Sequence, residues 1–197
     1  MIDFPDYERA TNAAYNVLQN YNYVFPKIDV GYIISIHSNV KMCSYSKVAK
    51  KLGITHNKFT YYYASSEYGF TVADYSKDRF IIYYNDWKDE KTLRFTIVHE
   101  LGHIILKHKV DNETTNREAN CFARNILCPV QIVKEYKLST PHDYMECFGI
   151  SEPMAEAAIG NFESDMYYIS NDLYNNINDK IYCYMTGYTL SELYGYA

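Results

Sequence analysis

One pentapeptide constrains the possible fold and function of this chain more than any other feature of the sequence. His99-Glu100-Leu101-Gly102-His103 follows the pattern H-E-x-x-H. Residues four apart in an α-helix lie on the same side, so both imidazoles can reach one ion. A catalytic zinc site takes three protein ligands and keeps one position for water, whose proton the neighbouring Glu100 can accept as a general base. The pattern therefore predicts a helix that carries a catalytic metal.

The residues around the pentapeptide favour the metal over two ordinary histidines. Residues 95–98 and 104–106 are apolar nearly all round the predicted helix, which is typical of a buried helix. Histidine and glutamate side chains are costly to bury unless they find hydrogen bonds or a metal. We therefore expect His99 and His103 to be ligands.

The identity of the third ligand separates the classes of zinc hydrolase. The metzincin pattern needs a glycine and a histidine further along, and Leu106 and Lys109 occupy those two positions. His108 follows His103 by five residues, about 140° around the same helix. We expect it to remain outside the metal cluster, as a polar residue near the helix C-terminus.

A second helix is predicted from residue 115 up to Pro129. Thr114, Thr115 or Asn116 can cap it, and Pro129 stops it. Glu118 shares one face of this helix with Cys121, and it is the predicted third ligand. Glu113, in the polar stretch before the helix, is the alternative. Two crossing helices, one with two histidines and the other with a glutamate, form the gluzincin arrangement.

Three sequence segments in this region resemble the motifs of a known family. They are Arg94-Phe95-Thr96-Ile97-Val98 directly before the pentapeptide, Glu118-Ala119-Asn120-Cys121-Phe122-Ala123, and Leu127-Cys128-Pro129. In this order and spacing, residues 79–129 resemble the ImmA/IrrE family of metallopeptidases. Weaker similarity extends the resemblance over about residues 27–163.

The resemblance implies an activity, a site and a partner. It implies a cytoplasmic, gluzincin-like metallo-endopeptidase that cleaves or inactivates a helix-turn-helix repressor encoded beside it on a phage, an integrative element or a stress operon. His99, His103 and Glu118 are then the metal ligands and Glu100 the catalytic base. The implied metal is Zn²⁺, with Mn²⁺ or Fe²⁺ as alternatives because availability also decides occupancy. The family often has an acidic residue where Asn116 stands, so this chain lacks that carboxylate as a competing ligand.

Composition limits the architecture. The chain has 197 residues, 48% of them apolar, which is enough for one good core. We predict an α+β fold with two parts: residues 1–135 form a zincin-like metallopeptidase domain with an N-terminal helix, and residues 136–197 form a C-terminal helical region and tail. The first part carries the H-E-x-x-H helix and a small twisted sheet, antiparallel or mixed.

Charge and hydropathy exclude several partners. The net charge of −5 gives no global attraction to nucleic acid. No apolar run reaches the roughly 18 residues of a membrane span, and no leader pattern opens the chain, so we expect a cytoplasmic protein. The five cysteines form no C-x-x-C pair and are expected to be reduced.

Local patterns predict the remaining elements. Helices are expected over residues 7–19 and 45–52, the latter closed by Gly53, and strands over residues 70–73 and 79–85. Residues 30–38 fit a helix or a strand equally well. In the tail, residues 164–197, the pattern suggests a hairpin around residues 175–179. The strand over residues 79–85 is the predicted sheet edge that binds a peptide by strand addition.

Two segments resemble helix-turn-helix units and keep other functions open. Residues 46–63 have the spacing of that motif, but their second helix has one lysine and no arginine or glutamine to read bases. Residues 140–162 form a second such pair that is acidic and unsuited to phosphate contacts. The alternatives to a peptidase are a metal-bound regulator that blocks its partner without cutting it, and a DNA-binding regulator with a structural metal.

Overall fold

A computed structural model describes residues 4–21 and 26–195. Three strands, β1 (Val40–Ser44), β2 (Gly69–Asp74) and β3 (Arg79–Tyr84), are surrounded by helices. The helices before the H-E-x-x-H helix are α1 (Tyr7–Gln19), α2 (Val30–Ser35), α3 (Tyr45–Leu52) and α4 (His56–Tyr62). Then follow α5 (Glu90–Ile105), α6 (Glu113–Leu127), α7 (Val130–Glu135), α8 (Pro141–Phe148), α9 (Glu152–Tyr168), α10 (Asn171–Thr186) and α11 (Leu190–Tyr194). The predicted α+β class is confirmed, with a mostly helical fold and a small mixed sheet.

The sheet has the order β1-β3-β2. β2 and β3 form an antiparallel hairpin that turns at Asp78, a residue with φ of 47°. β1, which the sequence patterns did not reveal, pairs with β3 in parallel. β3 is therefore the central strand, and the prediction that it forms the peptide-binding edge is wrong. β1 and β2 flank β3 on its two sides, so the edges of the sheet belong to β1 and β2. The β2 edge is the one next to the candidate site.

Local signals set most helix ends as predicted. The Asp6 side chain caps α1 by accepting a hydrogen bond from the Arg9 amide at 2.9 Å. Gly53, at φ of 67°, closes α3 in the left-handed region that favours glycine. The cap of α6 differs from the prediction. Asn112, rather than a residue at positions 114–116, accepts a hydrogen bond from the Thr115 amide in a capping box, so α6 begins at Glu113.

A glycine lets the two central helices approach closely. A Cβ atom placed on Gly102 of α5 would lie 3.0 Å from the Phe122 ring and 3.3 Å from the Cα of Ala119, both in α6. A larger residue at position 102 would push α6 away from α5. Gly102, the fourth residue of the H-E-x-x-H motif, therefore lets the second helix approach the two histidines.

One buried apolar cluster spans the chain. It takes Leu101 and Phe122 from the central helices, Phe148 from α8 and Ile177 from α10. The prediction of a hairpin around residues 175–179 is wrong, because these residues lie within α10. Leu173, Ile177 and Ile181 repeat every four residues and are all buried, and α10 packs against α1. The predicted domain boundary at residue 135 stays a prediction.

The predicted helix pairs both form. α3 and α4 enclose a small separate cluster of Tyr45, Ala49 and Phe59. α8 and α9 are joined by residues 149–151, as expected for the break at that position. Among the described residues, no helix is both long and apolar enough to cross a membrane.

Candidate active site

Helix α5 carries the central residues of the site. Its first turn is fixed by the Asp89 side chain, which accepts a hydrogen bond from the Thr92 amide at 3.0 Å. Val98 and Leu101 are fully buried in the core. The helical period then turns His99, Glu100 and His103 toward a cleft of about 760 Å³. The structure thus brings together three of the four residues that the sequence predicts for the site.

The two histidines of α5 face each other. The Nε2 atoms of His99 and His103 are 3.0 Å apart. On its other side, the Nδ1 atom of His99 lies 2.8 Å from the amide oxygen of Asn120 in α6. An amide oxygen only accepts hydrogen bonds, so this Nδ1 carries the proton of the neutral ring. The Nε2 atom of His99 is therefore left with a bare lone pair.

A chain of hydrogen bonds gives the same tautomer at the second histidine. The Nε2 atom of His108 is 2.8 Å from a carboxylate oxygen of Glu118 and therefore donates to it. In neutral His108 the Nδ1 atom then accepts the Nδ1–H of His103, at 2.9 Å. The Nε2 atom of His103 is consequently bare as well.

This arrangement fits a shared cation. Two bare nitrogens 3.0 Å apart repel each other unless a positive species lies beside them. Two nitrogens bound at about 2.0 Å to one tetrahedral zinc ion are roughly 3.3 Å apart, close to the observed separation.

Burial keeps both rings in the form that binds metal. The pKa of His99 is lowered mainly by burial, which its hydrogen bond to Asn120 partly offsets. The pKa of His103 is lowered to about 4, first by burial and then by the nearby His99 and His108. Burial therefore favours the neutral form of both rings, which is the form in which imidazole binds metals.

The Glu100 carboxylate is held beside these rings. The hydroxyl of Thr71, in β2, donates a hydrogen bond to its Oε2 atom at 2.8 Å. Burial raises the pKa of Glu100, the hydrogen bonds from Thr71 lower it, and the charge of Asp111 raises it. A carboxylate with a raised pKa is a stronger proton acceptor, as a general base at neutral pH requires.

Glycine at position 69 allows β2 to lie this close to α5. A Cβ atom there would come within 2.6 Å of the Thr96 methyl group and 2.9 Å of the Tyr83 carbonyl oxygen. Any other residue would move the strand away from the helix. The edge of β2 would then no longer run beside the histidines, and Thr71 would lose its contact with Glu100.

Glu118 lies next to the histidine cluster but contacts other groups. Its Oε1 atom accepts the Asp6 amide at 2.8 Å, and its Oε2 atom accepts from the Arg9 guanidinium at 3.0 Å and from His108 at 2.8 Å. Its side chain is 8% exposed. Glu113, the alternative ligand, is 80% exposed at the start of α6 and forms an ion pair with Arg117. Over residues 4–21 and 26–195, no group of three or more histidine, cysteine or acidic side chains is arranged to hold a metal.

Other polar side chains of the cleft were not predicted. Asp111 and Asn116 both line it, and the amide of Asn116 donates a hydrogen bond to Asp111 at 2.6 Å. The Asn116 side chain also raises the pKa values of His99 and His103 against the larger effect of burial. Position 116, where the family often has an acidic residue, therefore faces the histidines.

His108 contacts His103, although no metal-holding group that includes it is found among the described residues, so its place outside the metal cluster stays a prediction. That expectation assumed that α5 continues, whereas α5 ends at Ile105 and Lys107 adopts a φ of 56°. The chain reverses there, and the His108 amide donates to the His103 carbonyl oxygen at 3.0 Å. The sequence around Lys107 gives no clear stop signal, because the residue with positive φ is not a glycine.

Cys121 shares a helix face with Glu118, as predicted, but it lies away from the cleft. It is fully buried, with its sulfur 3.4 Å from the Thr11 hydroxyl and 3.5 Å from the Arg124 guanidinium. Burial raises the pKa of its thiol, which keeps it protonated. The site chemistry therefore does not involve this cysteine.

The paired histidines, the adjacent glutamate and the open strand edge define the site of a metallopeptidase-like protein. The family model described as Peptidase_M78, the IrrE N-terminal-like domain, matches residues 54–159, which is more than half of the chain. The chain therefore belongs to this family, and the resemblance to ImmA/IrrE proteins is confirmed. Neither the curated proteins nor the solved structures include a match to the chain.

The metal-free protein should become less stable as the pH falls from about 6.5 toward 4. Because the folded-state pKa of His103 is lowered to about 4, the unfolded chain binds a proton there more readily within this window. The stabilisation that neutral His103 provides is thus present above about pH 6.5 and is lost on acidification. Urea midpoints of the metal-free protein at pH 7 and pH 5 measure it. A His103→Gln variant should show a smaller difference, and equal differences in the two proteins would contradict this prediction.

Proposed function

We propose that this protein is a zinc-dependent endopeptidase that hydrolyses peptide bonds through His99, Glu100 and His103. The observation that carries the proposal is the pair of Nε2 atoms, 3.0 Å apart, beside a carboxylate held by Thr71. In a structural zinc site, cysteine and histidine side chains usually fill all four coordination positions of the metal, and no adjacent base is needed. A carboxylate beside two histidines in an open cleft favours catalysis.

Each residue then has a defined role. His99 and His103 would hold the metal, which would supply Lewis acidity and lower the pKa of a water molecule. Glu100 would accept a proton from the attacking water and return it to the leaving amine. Thr71 keeps the Glu100 carboxylate oriented toward the cleft. The open edge of β2 binds the peptide backbone by strand addition, which places a peptide alongside α5.

Two acidic residues compete for the role of third ligand. Glu118, the residue predicted from sequence, has to exchange its hydrogen bonds with His108, Arg9 and Asp6 before it can bind the metal. Asp111 already lines the cleft, and its negative charge raises the pKa values of His99 and His103 against the larger effect of burial. If Asp111 is the ligand, Glu118 acts instead as a positioning residue that fixes the ring of His103 through His108.

A comparison of variants distinguishes the two arrangements. We expect His108→Ala to weaken zinc binding by about 10- to 100-fold, since it releases the ring of His103. Glu118→Gln should have a smaller effect than Asp111→Asn if Asp111 is the ligand, because the glutamine oxygen still accepts the hydrogen bond from His108. The measurement is zinc affinity by chelator competition, with Glu113→Gln as the control. A larger loss for Glu118→Gln, with unchanged binding in His108→Ala, would instead assign the ligand role to Glu118.

The partner in this proposal is a helix-turn-helix repressor encoded beside the protein on a mobile element or stress operon, and the site of action is the cytoplasm. Family membership supports a metallopeptidase-like function, and a peptidase acts on a protein substrate. Zn²⁺ suits the imidazole ligands, while Mn²⁺ or Fe²⁺ would suit an added carboxylate. A regulator that binds the repressor without cutting it is the second candidate, since Glu118 has hydrogen bonds that do not require a metal.

Co-expression with that repressor tests the proposal. The unmodified protein should shorten the repressor chain and relieve repression, whereas Glu100→Gln should leave the repressor intact and active. Mass spectrometry of the repressor identifies a cut, and a reporter gene measures repression. An intact repressor in the presence of the unmodified protein would overturn the peptidase proposal. Loss of repression with both forms, without cleavage, would support the binding-only candidate.

A further inference from the structure

A second cavity opens beside the catalytic residues. It has a volume of about 470 Å³ and shares His99, Glu100, Ser66 and Gly69 with the main cleft. The two cavities therefore meet at the general base and at the first residue of β2. A peptide that extends along the edge of β2 reaches this second cavity at the Gly69 end, next to the position where its backbone would be cut.

The walls of this cavity are mainly apolar and come from two helices. Phe95 and the methyl group of Thr96 belong to α5, whereas Pro153, Met154 and Ala157 belong to the first two turns of α9. Met154 is 8% exposed and is fixed in the core cluster. The C-terminal helices thus form one wall of a cavity whose other wall is the metal-binding helix.

The polar groups of the cavity already have partners. Arg124 donates two hydrogen bonds to Asp165, at 2.6 and 2.7 Å, which neutralise its charge. Asn120 accepts a hydrogen bond from His99. An anionic side chain would therefore find no unpaired cation among these groups, while an apolar group would lose its water without breaking these bonds.

We propose that this cavity is the side-chain pocket of the enzyme and selects a large apolar residue, such as Leu, Met or Phe, beside the scissile bond. This inference rests on the proposed peptidase function and adds its substrate class. Peptide recognition by strand addition takes affinity from the backbone and specificity from pockets for individual side chains. The volume is ample for one large side chain, and the shared residues place that side chain within reach of Glu100.

A peptide series tests the proposal. The peptides differ at one position, which is Leu, Phe, Ala or Asp, and kcat/KM is measured for each with the zinc-loaded protein. The same peptides are bound to the Glu100→Gln protein and followed by fluorescence anisotropy. We expect Leu and Phe to exceed Ala by at least about tenfold in kcat/KM, as typical of a hydrophobic pocket, and to bind more tightly. The Asp peptide should be the poorest.

A pair of variants connects this preference to the cavity. Ala157→Phe fills the cavity and should remove most of the advantage that Leu and Phe have over Ala. Gly160→Phe is the matched control, because a Cβ atom at position 160 of the same helix meets nothing within 4 Å. It should keep the full preference, and thermal unfolding of both variants checks their stability.

The outcomes separate the two proposals. Cleavage without apolar preference, or an equal effect of Ala157→Phe on all peptides, overturns the pocket and leaves the peptidase function standing. Apolar-selective binding without cleavage of any peptide supports the pocket and overturns the peptidase function. Neither binding nor cleavage of the series overturns both.

Discussion

Replacing Glu100 with glutamine should lower kcat by about 10³-fold, within the range that general base catalysis contributes. Glutamine has nearly the same shape and can still accept the hydrogen bond from the Thr71 hydroxyl, now 2.8 Å long. It cannot accept a proton from water at neutral pH. The rate of hydrolysis of a quenched fluorescent peptide, measured at saturating zinc, gives the effect.

The same variant should retain its zinc and its stability. Glu100 accepts a hydrogen bond from Thr71, and burial disfavours its charge, so a neutral amide is tolerated at this position. Zinc content by metal analysis and the melting temperature should match those of the unmodified protein. Glu113→Gln, an exposed substitution of the same kind, provides the control. Activity within tenfold of the unmodified enzyme would show that Glu100 is not the base.

Replacing Arg94 with methionine should lower the free energy of unfolding by about 3–5 kcal/mol, because three buried acceptors lose their donor. Arg94 is 7% exposed, and burial lowers the pKa of its guanidinium group. This group donates to the carbonyl oxygens of Phe148 at 2.6 Å, Gly149 at 2.8 Å and Ile28 at 3.0 Å. It thereby connects α5 to the α8–α9 junction and to the segment before α2.

Thermal unfolding measures this effect. A loss of 3–5 kcal/mol corresponds to a decrease in Tm of roughly 10 °C for a chain of this size. Arg117→Met is the matched control, because its guanidinium is 55% exposed and pairs with Glu113 on the surface of α6. We expect this control to change the stability by less than about 1 kcal/mol. A similarly small change for Arg94→Met would mean that water replaces the lost donor.

Local sequence signals predicted the elements that depend on neighbouring residues. α1 and α3 have their predicted bounds, because a capping aspartate or serine precedes each helix and Gly53 closes the second. The β2–β3 hairpin follows from two short apolar runs on either side of a polar turn. These signals act within a few residues, so a single sequence is enough to reveal them.

Elements whose state depends on distant contacts were predicted less well. In the tail, tyrosines and isoleucines on either side of residues 175–179 suit two strands, yet residues 171–186 are helical because Ile177 and Ile181 bury one face against the core. The edge strand was also predicted wrongly, since strand order depends on where β1 joins the sheet. Residues 30–38, which fit both states, contain a helix capped by Asp29.

The sequence by itself determined the family, the α+β class and a helix on which two histidines and a glutamate share one side. Four-residue spacing and the apolar flanks impose that geometry wherever the helix lies. Only the tertiary structure decided which groups surround them. It directs the Glu118 carboxylate to Arg9 and Asp6, more than 100 residues away in the chain. It also turns His108 back to contact His103. Both follow from how α1, α5 and α6 pack, and packing over such separations leaves no periodic trace in the sequence.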